Sequence, residues 1–204
     1  MKPRETTVPD VEFEAVFRVA PAMTQIVMLL AREGGLRHAA ILNFSASCCD
    51  FEKRTIVGHT KGGASYNVPM TQRLYERLLF VCARIRDARE SVLAQFNRGG
   101  RNPAYNTIST GLFKAKRAAG ITSPWGLHDL RRTAARALYE RTRDIRKVQR
   151  FLSHSSPMQS WWYMGNAGIE LTHEDLEGTW GPKTDSSSDD HSSLLNPGQQ
   201  QKIA

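Results

Sequence analysis

The sequence predicts a mixed α+β domain, mainly helical with a small three-stranded antiparallel sheet. Two observations carry that reading. Apolar residues recur at i, i+3, i+4 and i+7 along most of the first 150 positions, the repeat of helices with one buried face. Between Ser45 and Met70 the pattern changes to short strand-like runs separated by turn residues. A chain of 204 residues is long enough to bury one sizeable core.

Residues 1–9 read as a flexible lead-in ending at Val8-Pro9, and Asp10 is placed to cap the helix that follows. Phe13, Val16, Phe17 and Ala20 form that helix's core stripe, and Pro21 opens a second with Met23, Ile26, Val27 and Leu30 on one face. Gly34-Gly35 ends it, and a short third helix is expected from Leu36 to about Phe44. Strands are expected around 47–50, 55–60 and 65–70. Gly62-Gly63 closes a hairpin, and Pro69 marks an edge strand.

Helix resumes at Thr71, with Leu74, Leu78, Val81 and Ile85 inward. Residues 87–103 contain a loop (NRGGRNP), and a helix over roughly 104–119 stops at Gly120. Leu127, Leu130, Ala134, Ala137 and Leu138 give the next helix its buried face, as Ile145, Val148, Phe151 and Leu152 do for its successor. Pro157 is expected to start a short helix carrying Tyr163. A weaker amphipathic segment spans 167–181, with Leu171, Leu176 and Trp180. The folded unit is therefore 10–182. The Ser-, Asp- and Gln-rich segment 183–204 reads as a disordered tail.

The net charge is +8, and the tail holds two lysines against three aspartates, so the basic character belongs to the folded part. A basic chain of this kind most often meets a polyanion, nucleic acid being the commonest, the alternative on charge alone being a basic surface kept for solubility. Cys48, Cys49 and Cys82 are odd in number and lack metal-ligand spacing, which fits a reduced cytoplasmic setting with thiols as small apolar groups. No apolar run reaches signal-peptide or membrane-span length.

The densest chemistry lies in HDLRRTAARALYERTRDIRKVQRFLSHSSPMQSWWY, from His128 to Tyr163. Guanidinium forks bind phosphate oxygens, imidazoles move protons and a phenol can act as a covalent nucleophile. Arg37, just after Gly34-Gly35-Leu36, and Lys61, at the hairpin tip, are further polar residues in otherwise structural settings.

Taken in order, GGLRHAAIL, TKGGASYNVPM, HDLRRT and LSHSSPMQSWWY resemble the catalytic domain of the tyrosine recombinases, the phage-type integrases. Each motif alone is common in helical proteins; four in order across residues 10–165 are specific. The resemblance implies a DNA breaking-rejoining fold and a catalytic set of Arg37, Lys61, His128, Arg131, His154 and Tyr163. An unperturbed tyrosine has a pKa of ~10, so Tyr163 needs a proton acceptor and positive neighbours. His128 is the expected acceptor. Arg37 and Arg131 would hold the non-bridging oxygens, His154 would donate to the phosphate, and Lys61 would protonate the leaving 5′ oxygen. The product would be a 3′-phosphotyrosyl link that conserves the diester bond energy, with no ATP, metal or other cofactor.

The partners implied are double-stranded DNA carrying a specific recombination site, a homo-tetramer on two such sites, and accessory DNA-bending proteins. The segment after Tyr163 is expected to pack on a neighbouring subunit. Arg98, Arg101, Lys114, Lys116 and Arg132 are further candidates for DNA contact. Three positions depart from the family pattern: Ala40 stands where an acidic residue is usual, Gly34 where threonine is usual, and Ser153 where glycine is usual. The pattern also begins almost at Met1, where the family carries a helical domain that clamps DNA; a naturally short member, a catalytic fragment and an inactive remnant all fit. The runner-up is a non-catalytic DNA-binding module, since helices 128–141 and 144–152 have the layout of a helix-turn-helix. Such a module needs neither Lys61 nor Tyr163.

Overall fold

The computed structural model describes residues 7–59, 65–96, 105–152 and 173–176. Its described helices are α1 (Asp10–Val19), α2 (Ala22–Arg32), α3 (His38–Leu42), α4 (Gln72–Cys82), α5 (Tyr105–Ala118), α6 (Leu127–Thr142), α7 (Ile145–Phe151) and α8 (His173–Leu176). Three strands, β1 (Cys49–Asp50), β2 (Thr55–His59) and β3 (Ser65–Pro69), form an antiparallel sheet in the order β1-β2-β3. The mainly helical α+β reading holds. None of the described helices is long and apolar enough to cross a membrane.

The molecule is built around α2. Its run AMTQIVMLLAR is apolar on nearly every side, and Ile26 through Arg32 are all buried. A helix that is apolar all round belongs inside, and α1, α3, α4, α5 and α6 all pack against it. Gly111 allows the approach of α5: a Cβ there would lie 2.8 Å from Thr24 Oγ1 on α2.

The sheet is a hairpin with a short third strand. Ile56 pairs with Val68 and both are fully buried, whereas the neighbouring Val57 is exposed, the alternation expected of a sheet with one face on the core. β3 is an edge strand, as Pro69 requires. The register pairs His59 with Ser65, so residues 60–64 join the two strand ends.

Several boundaries differ from the sequence reading, each for a local reason. Pro9, not Asp10, occupies the N-cap of α1; Asp10 is the first helical residue and its carboxylate pairs with Arg32. The third helix is only His38–Leu42. The first strand shrinks to two residues because Ala46–Cys48 forms a 3-10 turn. Val92–Phe96, expected within a loop-bearing stretch, is a 3-10 helix whose Val92, Leu93 and Ala94 are buried. It is tied back by the Val92 amide donating to the Phe44 carbonyl at 2.8 Å and by a bridge between Ser45 and Ser91. Ile145, expected in the core, is exposed at the first turn of α7.

Of the segment beyond Tyr163, residues 173–176 are described. Leu176 of α8 is buried in this chain's own core against α6, and His173 Nε2 lies 3.1 Å from the Arg54 carbonyl. The helix expected to carry Tyr163, together with Leu171, Trp180 and segment 183–204, lies outside the described residues.

Two outcomes test these local arguments. Gly35 has φ +61°, and a Cβ there would stand 2.8 Å from Phe151 Cζ; Gly120 has φ +71° but open space around it. Gly120→Ala should therefore cost only the left-handed backbone penalty, about 1–2 kcal/mol. Gly35→Ala should cost about 1–3 kcal/mol more from overpacking, both read by urea denaturation.

Asp144 caps α7 by accepting from the Arg146 amide at 2.9 Å and from the Arg146 guanidinium at 3.1 and 3.2 Å. The Arg146 side-chain hydrogen bonds hold the Asp144 carboxyl below its ordinary value of 3.8. A depressed carboxyl stabilises the fold above that value and stops doing so as pH falls through the folded value. Asp144→Ala should thus lose about 1 kcal/mol at neutral pH, with the deficit shrinking below pH 3.8.

Candidate active site

Three segments far apart in sequence meet at the side chain of Arg131. This residue lies one turn into α6, and Leu127, Leu130 and Ala134 on the same helix are buried with it. Its guanidinium is engaged by main-chain carbonyls. Nη1 donates to the Gly35 carbonyl, and Nη2 donates to the Leu152 carbonyl at 2.6 Å. Gly35 is two residues before Arg37, and Leu152 is two residues before His154. One buried arginine therefore joins the turn leading into α3 to the end of α7.

The turn is shaped for that contact. Glycine at 35 supplies the left-handed backbone that lets the chain leave α2, and its face is closed by the Phe151 ring. Gly34 also matters: a Cβ there would stand 2.9 Å from the Leu30 carbonyl oxygen and 3.2 Å from Ile56 Cδ1. The glycine found in place of the usual threonine thus matches a turn pressed between α2 and β2. Arg37 follows at the N-cap of α3 and is exposed, with no side-chain bond to the helix end.

His128 is the second residue of α6 and is exposed. It does not cap the helix. Gly126 holds the N-cap, and the Asp129 carboxylate reaches back to accept from the Gly126 amide at 2.9 Å. The loop before α6 is held by a separate polar cluster. Lys116 Nζ donates to the carbonyls of Ser123 and Trp125, the latter at 2.8 Å, and lies 4.4 Å from the Trp125 ring centroid. Trp125 Nε1 donates to Glu12 on α1 at 2.6 Å.

Lys116, a candidate for DNA contact, is buried and its ammonium is engaged by these two carbonyls of the same chain. Burial pushes its ammonium below the ordinary lysine value, against the opposing pull of Glu12 and Asp129. Lys114, two residues earlier on α5, is exposed and lines a groove with Asn106, Thr107 and Thr110. Arg132 is half-exposed, 4.0 Å from Asp129. Lys61, Arg98, Arg101, His154 and Tyr163 lie outside the described residues; of these, Lys61 belongs to the connection between β2 and β3.

A buried charge cluster escaped the sequence reading. Glu33, at the C-terminal end of α2, is only 1% exposed and accepts from Thr71 Oγ1 and from the Arg73 guanidinium, Nε at 2.8 Å. Arg73 Nη1 also donates to Glu14 on α1 at 2.7 Å. The signal was available: Glu33 closes a long apolar run, and a carboxylate there must be paired.

This helical body with a three-stranded sheet, in which Arg131 of α6 bonds the turn between α2 and α3, is the fold of the tyrosine recombinase catalytic domain. The chain belongs to the phage integrase family, whose model matches residues 12–167. Among solved structures it is similar to the XerA recombinase, with TM-score 0.65 and 17% identity over 87% of this chain and 64% of that one. The integrase from mycobacterium phage Brujita gives TM-score 0.61 and 22% identity, covering 86% of this chain and 54% of that one. A lambda integrase tetramer bound to a Holliday junction gives 0.60 and 19%, covering 84% and 52%. The chain thus spans between about half and two thirds of these proteins. No curated protein sequence matches it.

The two arginines should separate by experiment. Arg131→Gln removes charged donors from two carbonyls at a buried site and should cost about 2–4 kcal/mol of stability. Arg37→Gln, at an exposed position, should stay within about 0.5 kcal/mol of wild type in the same denaturant titration.

Proposed function

We propose that this chain is the catalytic part of a site-specific DNA recombinase that cleaves and rejoins DNA through a covalent tyrosine intermediate. The observation that carries the proposal is the Arg131 clamp. It joins the Gly35 carbonyl, two residues before Arg37, and the Leu152 carbonyl at the end of α7 to the helix that carries His128. A helix-turn-helix module would not need a buried arginine at this junction. The DNA-bound tetramer of lambda integrase supports double-stranded DNA as substrate and a tetramer as the working assembly.

In this reading the exposed Arg37 and the clamped Arg131 meet the non-bridging oxygens of the scissile phosphate. Tyr163 Oη attacks phosphorus, giving its proton to His128. The P–O5′ bond breaks as Lys61 protonates the departing oxygen, and His154 donates to the phosphate. A 3′-phosphotyrosyl bond and a free 5′ hydroxyl result. Attack by a 5′ hydroxyl of the partner strand reverses the step and releases Tyr163. Arginine suits the two fixed positions because it keeps its charge throughout. DNA affinity rests on phosphate contacts by exposed cations such as Lys114 and Arg132, and so falls steeply with salt.

The test is a suicide-substrate reaction on nicked DNA from the chain's own flanking region, with EDTA present, resolved on a denaturing gel. A covalent protein–DNA band that is absent from Tyr163→Phe is the expected result. A gel shift without any covalent band, even when a separate DNA-clamp domain is added, would make this a DNA-binding module or an inactive remnant instead.

A further inference from the structure

We propose that Glu33 is a positioning residue for Arg37: its buried carboxylate anchors the turn carrying Gly35 and Arg37 to the start of α4. The proposal rests on the recombinase reading for what Arg37 does. Its geometry rests on contacts within the described residues.

Glu33 follows directly on α2 and precedes Gly34-Gly35. Two successive glycines give a main chain more freedom than any other pair. Yet this chain must hold the Gly35 carbonyl against Arg131 Nη1 and deliver Arg37 two residues later. On its far side the turn is fixed by Arg131, Phe151 and Ile56. On its near side Glu33 provides the polar anchor. Its amide closes onto the Leu29 carbonyl at 2.7 Å, while its carboxylate accepts from the Thr71 hydroxyl and the Arg73 guanidinium.

Thr71 is also the N-cap of α4, taking the Leu74 amide at 3.2 Å, and Arg73 is held on its other side by Glu14. The anchor is thus tied to α1 and α4, two helices that do not carry the motif residues. No other acidic residue occurs between Glu14 and Asp50, so this stretch has no second carboxylate to take over.

A carboxylate that merely filled space would be a poor choice here, because burying it is costly unless it is fully paired. Burial raises the Glu33 carboxyl above its ordinary value, opposed by Arg73 and Thr71. Gln at this position would keep the shape and lose the charged grip.

The experiment compares wild type, Glu33→Gln and Arg73→Gln in the full chain by amide hydrogen exchange and by the suicide-substrate reaction. Arg73 is one-third exposed and keeps water access, so its variant guards against a folding failure of the first. The proposal expects faster exchange at residues 34–38 in both variants, with exchange elsewhere on α2 unchanged. It also expects adduct formation to slow by about tenfold or more, since small misplacements of a catalytic group are costly, while DNA affinity stays within about twofold.

In an Arg37→Ala background Glu33→Gln should slow the reaction by less than about twofold, because the group it positions is gone. Unchanged exchange at 34–38 would overturn the proposal whatever the reaction does, as would equal slowing with and without Arg37. Faster exchange in a protein whose wild type forms no adduct would uphold the anchor while defeating the recombinase reading.

Discussion

The arrangement depends most on the burial of one guanidinium. Arg131 cannot lose its charge, and a buried charge is tolerated only if its donors are met. Two of the acceptors here are main-chain carbonyls, at Gly35 and Leu152. Side-chain partners could adjust by changing rotamer. Main-chain partners cannot, so the arginine fixes the path of the chain on both sides. The turn from α2 to α3 and the exit from α7 are placed relative to α6 by the same planar fork.

The packing around that fork is consistent with it. Glycine at 34 and 35 brings the turn so close to Leu30, Ile56 and Phe151 that an added Cβ would stand 2.8–3.2 Å from them. The hairpin enters from the other direction through Ile56 and Val68, which are buried beneath it. Near-native packing density leaves such a junction little room to relax. The residues presented outward, Arg37 and His128, are by contrast exposed and carry no structural bond at a helix end.

Basic residues therefore divide into two populations that composition alone does not separate. Arg32, Arg131 and Lys116 are buried and Arg73 is largely committed to Glu33 and Glu14. Arg37, Lys114 and Arg150 are exposed. The second group stands open to solvent, whereas the first is engaged within the fold, so not every basic residue adds to the charge presented at the surface. Aromatic rings share the first population's load: Phe13 lies under both Arg32 and Arg73, with ring-centroid distances of 4.2 and 5.4 Å.

Much of this was legible beforehand because it follows from local periodicity. The apolar stripes of α1, α2, α4 and α6 and the hairpin of β2 and β3 are set by which residues face inward, and that pattern is written residue by residue. The order of the motifs, from Gly34-Gly35-Leu36-Arg37 to His154, is likewise a property of the chain. What the sequence could not express is direction. Lys114 and Lys116 look alike on α5, yet one faces solvent and the other bonds carbonyls of the next loop, because helix rotation is decided by what packs against it. Val92–Phe96 is polar-flanked and short, so only the presence of Phe44 and Ser45 beside it makes it part of the core. The joining of Gly35 to Leu152 through Arg131 spans 96 and 21 residues. Contacts of that span exist only once the tertiary fold has brought the segments together.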